Sequence, residues 1–199
     1  MTRRLGGDGV ETTDTYDSGG NLVRKALSTG EAELFAYDTR GLLLSWTDAN
    51  GAVTRYFYDA AGNRTSEIGP TGIERLYAYD ANGNQLTESV RRADGSLATI
   101  ARVFDANGEL RSITDATGNT IELDRDSQGN IAGIVDPRGN RTDRSHDAAS
   151  RLVATRFADG TEEEVSYDFR GGVKQVEDRN DRISRYVYDI AGRPSRFEF

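Results

Sequence analysis

The sequence contains no cysteine, and only one histidine, one methionine, one tryptophan and three prolines in 199 residues. Without cysteine there are no disulfides and no thiolate metal sites, and the redox compartment stays undetermined. A single imidazole, His146, builds neither a multi-histidine metal site nor a triad without partners that its surroundings do not supply. No apolar run approaches the roughly 18 residues of a membrane-spanning helix. The opening MTRRLGGDGV also lacks the hydrophobic centre of a secretory signal. Positive charge is scarce too: 25 Lys and Arg against 33 Asp and Glu give a net charge of -8. That balance argues against nucleic acid or an anionic membrane as partner. Local basic groups, Arg91 and Arg92 or Arg138, Arg141 and Arg144, read as solvated strand faces.

Apolar residues make up only 36% of the chain and the mean hydropathy is -0.66, too little for a thick core. The 22 glycines are not matched by enough proline for collagen or a linker, and nine Tyr plus seven Phe are too many rings for a solvating tail. The expectation is a folded but thin structure.

What fills the chain is repetition. YFYDAAGNR at Tyr56–Arg64 returns as YAYDANGNQ at Tyr77–Gln85 and as YVYDIAGRP at Tyr186–Pro194. The glycine closing each unit falls at Gly20, Gly41, Gly62, Gly83, Gly108, Gly129, Gly171 and Gly192, with Ser150 in the seventh slot. The spacing is 21 residues throughout except for 25 between Gly83 and Gly108. Three places earlier stand Asp17, Asp38, Asp59, Asp80, Asp105, Asp126, Asp147, Asp168 and Asp189. Before each aspartate comes Tyr16, Tyr37, Tyr58, Tyr79, Phe104, Arg125, His146, Tyr167 or Tyr188. A second turn signal lies ten residues after most of the glycines, at Gly30, Gly51, Gly72, Gly118, Gly139 and Gly160, with Asp181 in the eighth unit. In the long period this signal is Gly95, so two extra residues fall on each side of it. That hairpin, around 84–104, is expected to protrude by about one residue pair, roughly 7 Å.

Turn chemistry explains the residue types. Aspartate opening a type I turn accepts backbone N–H groups, and glycine in the fourth place tolerates the positive φ of the following bulge. The segments between turns are short, rich in Val, Ile, Thr, Tyr and Phe, and alternate: Tyr56 and Tyr58 lie on one face, Val53, Arg55 and Phe57 on the other. Helical periodicity is absent. The fold class is therefore all-β, with about nine tandem antiparallel hairpins in a single array over residues 1–199. Tyr16, Tyr37, Tyr56, Tyr58, Tyr77, Tyr79, Phe104, His146, Tyr167, Tyr186 and Tyr188 recur in phase, so a ladder of stacked rings along one face is expected.

These tandem Tyr-Asp-x-x-Gly-Asn/Arg units resemble the YD or Rhs repeats of bacterial Rhs polymorphic toxins, Tc toxin components and teneurins. The resemblance covers essentially the whole chain. It implies a curved, spiralling open β-sheet, which in the bacterial proteins forms a hollow shell around a C-terminal toxin and in teneurins an extracellular adhesion module. Eighteen strands at roughly 4.8 Å would run about 80–90 Å, an arc and not a closed chamber. Uncovered sheet edges suggest a fragment of a larger shell, or a short protein whose edges pair. The partner implied is a toxin cargo or the rest of the shell, and the destination is secreted or cell-surface after a cytoplasmic stage, by a route other than Sec.

Enzymatic chemistry finds little support. DPRGN at Asp136–Asn140 approaches the self-cleavage motif of Rhs cores, but Gly139 is an in-phase turn glycine and Asn140 stands where that motif needs leucine. His146 reads as a ring replacing a ring. Asp124 and Asp126 would lie about 7 Å apart on one strand face, a distance that glycosidases use. Neither that pair nor the run Glu162 to Glu164 comes with a substrate cleft, and the Asp-rich loops lack calcium-loop spacing. No cofactor is implied. The readings left are a shell segment, then a carbohydrate- or protein-binding module using the aromatic rows, then a hydrolase.

Overall fold

The computed structural model describes residues 2–5, 11–189 and 191–198. It is all-β, and the chain groups into two compact units that divide after Arg102. In the first unit the strands are β1 (Thr2–Leu5), β2 (Glu11–Tyr16), β3 (Leu22–Leu27), β4 (Ala32–Tyr37), β5 (Leu43–Thr47), β6 (Val53–Tyr58), β7 (Arg64–Ile68), β8 (Glu74–Tyr79), β9 (Gln85–Arg91) and β10 (Leu97–Phe104). In the second they are β11 (Leu110–Thr114), β12 (Thr120–Arg125), β13 (Ile131–Val135), β14 (Arg141–His146), β15 (Leu152–Arg156), β16 (Glu162–Tyr167), β17 (Val173–Glu177), β18 (Ile183–Tyr188) and β19 (Pro194–Glu198). Within each unit every strand pairs antiparallel with its sequence neighbours, giving an open meander. β9 and β10, with seven and eight residues, are the longest strands, as the four-residue insertion requires.

The register slips beside eight of the nine Tyr slots, those other than Phe104: between Phe57 and Tyr58, for example, or Ser166 and Tyr167. The extra residue lies on the strand after the turn, as Thr65 does where Phe57 faces Ser66 and Tyr58 faces Arg64. The glycine that permits this bulge has φ near +90°, as at Gly62 (92°). Ser150 and Asp181 adopt the same left-handed backbone, with φ of 59° and 60°.

Each meander is one layer thick. Ala26, at 8% exposure, is the only buried apolar residue among those described, and no side chain is fully buried. The two faces differ nonetheless. In β14 and β16 exposure alternates strictly, with Arg144 and His146 or Val165 and Tyr167 half-buried and Asp143, Ser145, Glu164 and Ser166 exposed. On the sheltered face long and cyclic side chains cover one another: Phe35 opposes Trp46 and then Thr54, and Leu123 opposes Ile134. The open face carries Ala36, Ser45, Arg55, Phe57, Ser66 and Leu76 in the first unit. In the second it carries Asp124, Gly133, Asp143, Arg156 and Glu162.

Candidate functional site

The repeated motif builds a clamp at every turn. In each Tyr-Asp-x-x-Gly unit, from Asp17 to Asp189, the N–H of the fourth residue donates to the aspartate carbonyl at 2.9–3.2 Å. The aspartate N–H donates in turn to the carbonyl of the residue after the glycine, at 2.8–3.0 Å. The carboxylate adds a second layer. Oδ1 of Asp80 accepts the N–H groups of Asn82 and Asn84, each at 2.9 Å, and Oδ1 of Asp168 accepts those of Arg170 and Gly172. Asp38, Asp105, Asp126, Asp147 and Asp189 repeat the arrangement. Oδ2 then takes the side chain that follows the glycine: Asn21, Asn63, Asn84 and Asn130 through Nδ2, or Arg151 and Arg193 through Nε. The Asn/Arg of the motif is thus part of the clamp, a role its constant place after the glycine could have signalled. These bonds favour the ionised carboxyl, and the side-chain amide beside Asp17, Asp59, Asp80 and Asp126 is the largest cause of a pKa below the ordinary aspartate range.

The mid-repeat turns use the same device. Asp115 and Asp136 are clamped by Asn119 and Asn140. DPRGN is therefore a turn with Gly139 at φ 84°, and the Asp136 carboxylate is occupied by the N–H groups of Arg138 and Asn140.

The aromatic residues fasten one hairpin to the one before it, in a way that differs from ring-on-ring stacking. Tyr58, Tyr79, Tyr167 and Tyr188 donate their hydroxyls to the main-chain carbonyls of Leu43, Arg64, Leu152 and Val173, at 2.8–3.0 Å and always 15 residues back. Copies 21 residues apart lie two strands apart, about 9.6 Å, beyond the 4.5–7 Å of an aromatic pair. The expected direct stacking is accordingly replaced by cations in the gap. The Arg64 guanidinium lies 5.8 Å from the ring centre of Tyr56 and 4.9 Å from that of Tyr77, and it bonds Glu67 at 2.9 Å. Arg151 covers Tyr167 at 4.4 Å. Burial pushes the hydroxyl pKa of Tyr56, Tyr58 and Tyr77 up. Tyr186 meets Phe197 edge-on at 5.3 Å, while Tyr16 is exposed and Tyr37 and Phe104 are half-buried.

Three slots have no ring hydroxyl, Phe104, Arg125 and His146, and in the last two the side chain faces an acid. Arg125 reaches back to Glu109 at 3.1 Å and donates to the Gly129 carbonyl. His146, 11% exposed, brings Nδ1 to 3.5 Å from Oδ2 of Asp126.

The acid pair imagined at Asp124 and Asp126 does not assemble. Asp126 lies past the end of β12, bound to its own turn and facing His146, whereas Asp124 pairs with Arg141 on the open face. Arg141 spans Asp124 (2.5 Å) and Asp143 (2.7 Å) across Gly133, which lies directly between them in register. A Cβ on Gly133 would collide with the Arg141 guanidinium. Glu162 and Glu164 lie on the open face and Glu163 on the other, which splits that run. Among the described residues no group of three or more His, Asp or Glu is placed to hold a metal ion, and no helix is long and apolar enough to cross a membrane.

The RHS repeat family model matches residues 37–75, 104–141 and 125–162, which include five of the Tyr-Asp-x-x-Gly slots and the mid-repeat turns at Asp115 and Asp136. The chain belongs to the Rhs/YD-repeat family. Its Rhs-repeat fold is shared by solved structures of low sequence identity. One is a crystal structure of TcdB2-TccC3-Cdc42, at 15% identity and a TM-score of 0.61, covering 93% of this chain. Another is a Tc holotoxin pore of Photorhabdus luminescens, at 16% identity and a TM-score of 0.62, covering 95%. The Rhs-repeat chain spans 13% of each of those chains. No curated protein matches its sequence.

Proposed function

We propose that this chain is a wall segment of a hollow β-shell that keeps a polypeptide cargo enclosed and accompanies it through secretion. The observation that carries the reading is the single-layer meander, with no interior and two chemically distinct faces. Such a sheet suits a partition between two spaces better than a scaffold for a catalytic cleft. Membership of the Rhs/YD-repeat family and the fold shared with the Tc toxin structures support it. The wall has no enzymatic role in this reading, since Asp124, Asp126 and Asp136 are committed to a turn or an ion pair and the run Glu162 to Glu164 is split between the two faces. Binding of sugars by the tyrosine rows is disfavoured, because Arg64 fills the gap between Tyr56 and Tyr77 that a stacked sugar would need.

The test is protease protection of polypeptides that copurify with the native gene product. A wall predicts that they resist digestion until a denaturant opens the assembly. Copurifying polypeptides digested as fast as their free forms would remove the reading.

A further inference from the structure

The open face of the first unit carries a feature that the wall architecture does not require. Ala36, Leu44, Ser45, Arg55 and Phe57 line a shallow groove of about 540 Å³, with Arg40 at its rim. Leu44 and Phe57 are 41% and 47% exposed, so the floor is apolar and uncovered. Arg40 is already committed to Asp38 and to the Asp59 carbonyl. Arg55 is exposed and, among the described residues, has no side-chain hydrogen bond or ion pair. An unpaired guanidinium beside an apolar floor is matched by a large apolar side chain next to a carboxylate.

The combination is local to this repeat. In the following repeat the places of Arg55, Phe57 and Leu44 are held by Leu76, Ala78 and Thr65. In the second unit the places of Arg55 and Phe57 are held by Glu122 and Asp124, Asp143 and Ser145, Glu164 and Ser166, and Arg185 and Val187. The last of these keeps an arginine beside an apolar residue, but Lys174 there replaces Leu44 and the phenyl ring is gone. Strands β4, β5 and β6 are paired on both edges, so a ligand cannot add a strand here and must bind through side chains.

We propose that this groove docks an extended segment of the enclosed cargo, one that places a large apolar side chain beside an aspartate or glutamate. The proposal rests on the wall reading, and it makes the open face of the first unit the cargo-facing one.

The probe is a fluorescein-labelled hexapeptide of alternating leucine and aspartate, titrated onto the full chain and followed by fluorescence polarisation. Saturable binding is expected, weakened at least tenfold when the peptide's aspartates become asparagines or its leucines become serines. Arg55→Glu should abolish that binding and allow a leucine–lysine peptide to bind, and Phe57→Ser should weaken both peptides. Circular dichroism controls for folding of these surface variants. Equal binding of all peptides, insensitivity to Arg55→Glu, or no saturation at millimolar peptide would overturn the proposal. So would concentration-dependent self-association that Phe57→Ser abolishes, since the occupant would then be a second copy of the chain. Protease protection involves no added peptide, so failure of the groove leaves the wall reading standing.

Discussion

The hairpins closed by Tyr58, Tyr79, Tyr167 and Tyr188 and those closed by Arg125 and His146 have the same turns but different fastenings. Turn geometry barely varies between them: the Asp126 clamp has the bonds of the Asp80 clamp. The link to the preceding hairpin does vary. It is a hydroxyl bonded to a main-chain carbonyl in one set, and a polar side chain set against an acid, Arg125 against Glu109 or His146 against Asp126, in the other. Register depends on the aspartate and glycine, while the fastening can be exchanged. The two classes should therefore respond differently to charge and alike to anything that acts on turns.

The largest effect expected is the common one. The clamp aspartates have pKa values lowered in the folded state, so they contribute stability that is complete above the unfolded value, about 3.9. That stability is lost as pH falls through the lower folded values. Thermal unfolding followed by circular dichroism should give a melting temperature insensitive to the clamps between pH 8 and 5 that falls steeply below about 4. A flat profile down to pH 2 would show that the clamps carry no linkage.

Next in size is the backbone. Gly62→Ala brings Cβ only into ordinary contact with Leu42, so its cost is the left-handed conformation, about 1–2 kcal/mol. Ser150→Gly should return about 1 kcal/mol by the same reasoning. Urea midpoints that move in opposite directions would bear this out, and a shared sign would refute it.

The fastenings themselves come third. Tyr58→Phe or Tyr167→Phe should cost about 1 kcal/mol each. His146→Tyr places a hydroxyl 15 residues from the Ile131 carbonyl and should stabilise by about as much. Failure of His146→Tyr to stabilise, alongside a loss in Tyr167→Phe, would mean that the charged slots have diverged beyond simple exchange. The smallest effect is that of salt. Raising NaCl to about 1 M should speed amide exchange roughly twofold in β12–β14 and by less in β6–β8, where the Arg64–Glu67 pair is backed by the Tyr58 and Tyr79 hydroxyl bonds. Equal responses would erase the distinction between the two sets.

The period, the turns and the strand positions were legible from spacing, because Asp-x-x-Gly is a local device whose bonds close within five residues. The exposed Tyr16 and the edge-on Tyr186 were legible only as members of a row. What could not be read were contacts that depend on register across a bulge. The hydroxyl of Tyr58 meets the Leu43 carbonyl beside a bulge whose extra residue is Leu44, and Arg64 enters the Tyr56–Tyr77 gap beside the bulge at Thr65. The fate of Asp124 also turned on register. Spacing along the strand suggested a partner two residues away, and cross-strand pairing supplied Arg141, 17 residues away. The division after Arg102 falls inside the one irregular period, the 25 residues between Gly83 and Gly108.

Within each unit, the contacts between strands all join neighbours in sequence. For a lineage this turns 21 residues into a unit of inheritance. A tandem duplication in the coding sequence would insert a hairpin whose clamp, bulge and fastening meet the same partners as before, without redesign elsewhere. An unequal exchange would remove one just as harmlessly. The four residues inserted around Gly95 are a smaller instance, absorbed by lengthening β9 and β10 alone. Length in such a protein is adjustable in whole hairpins.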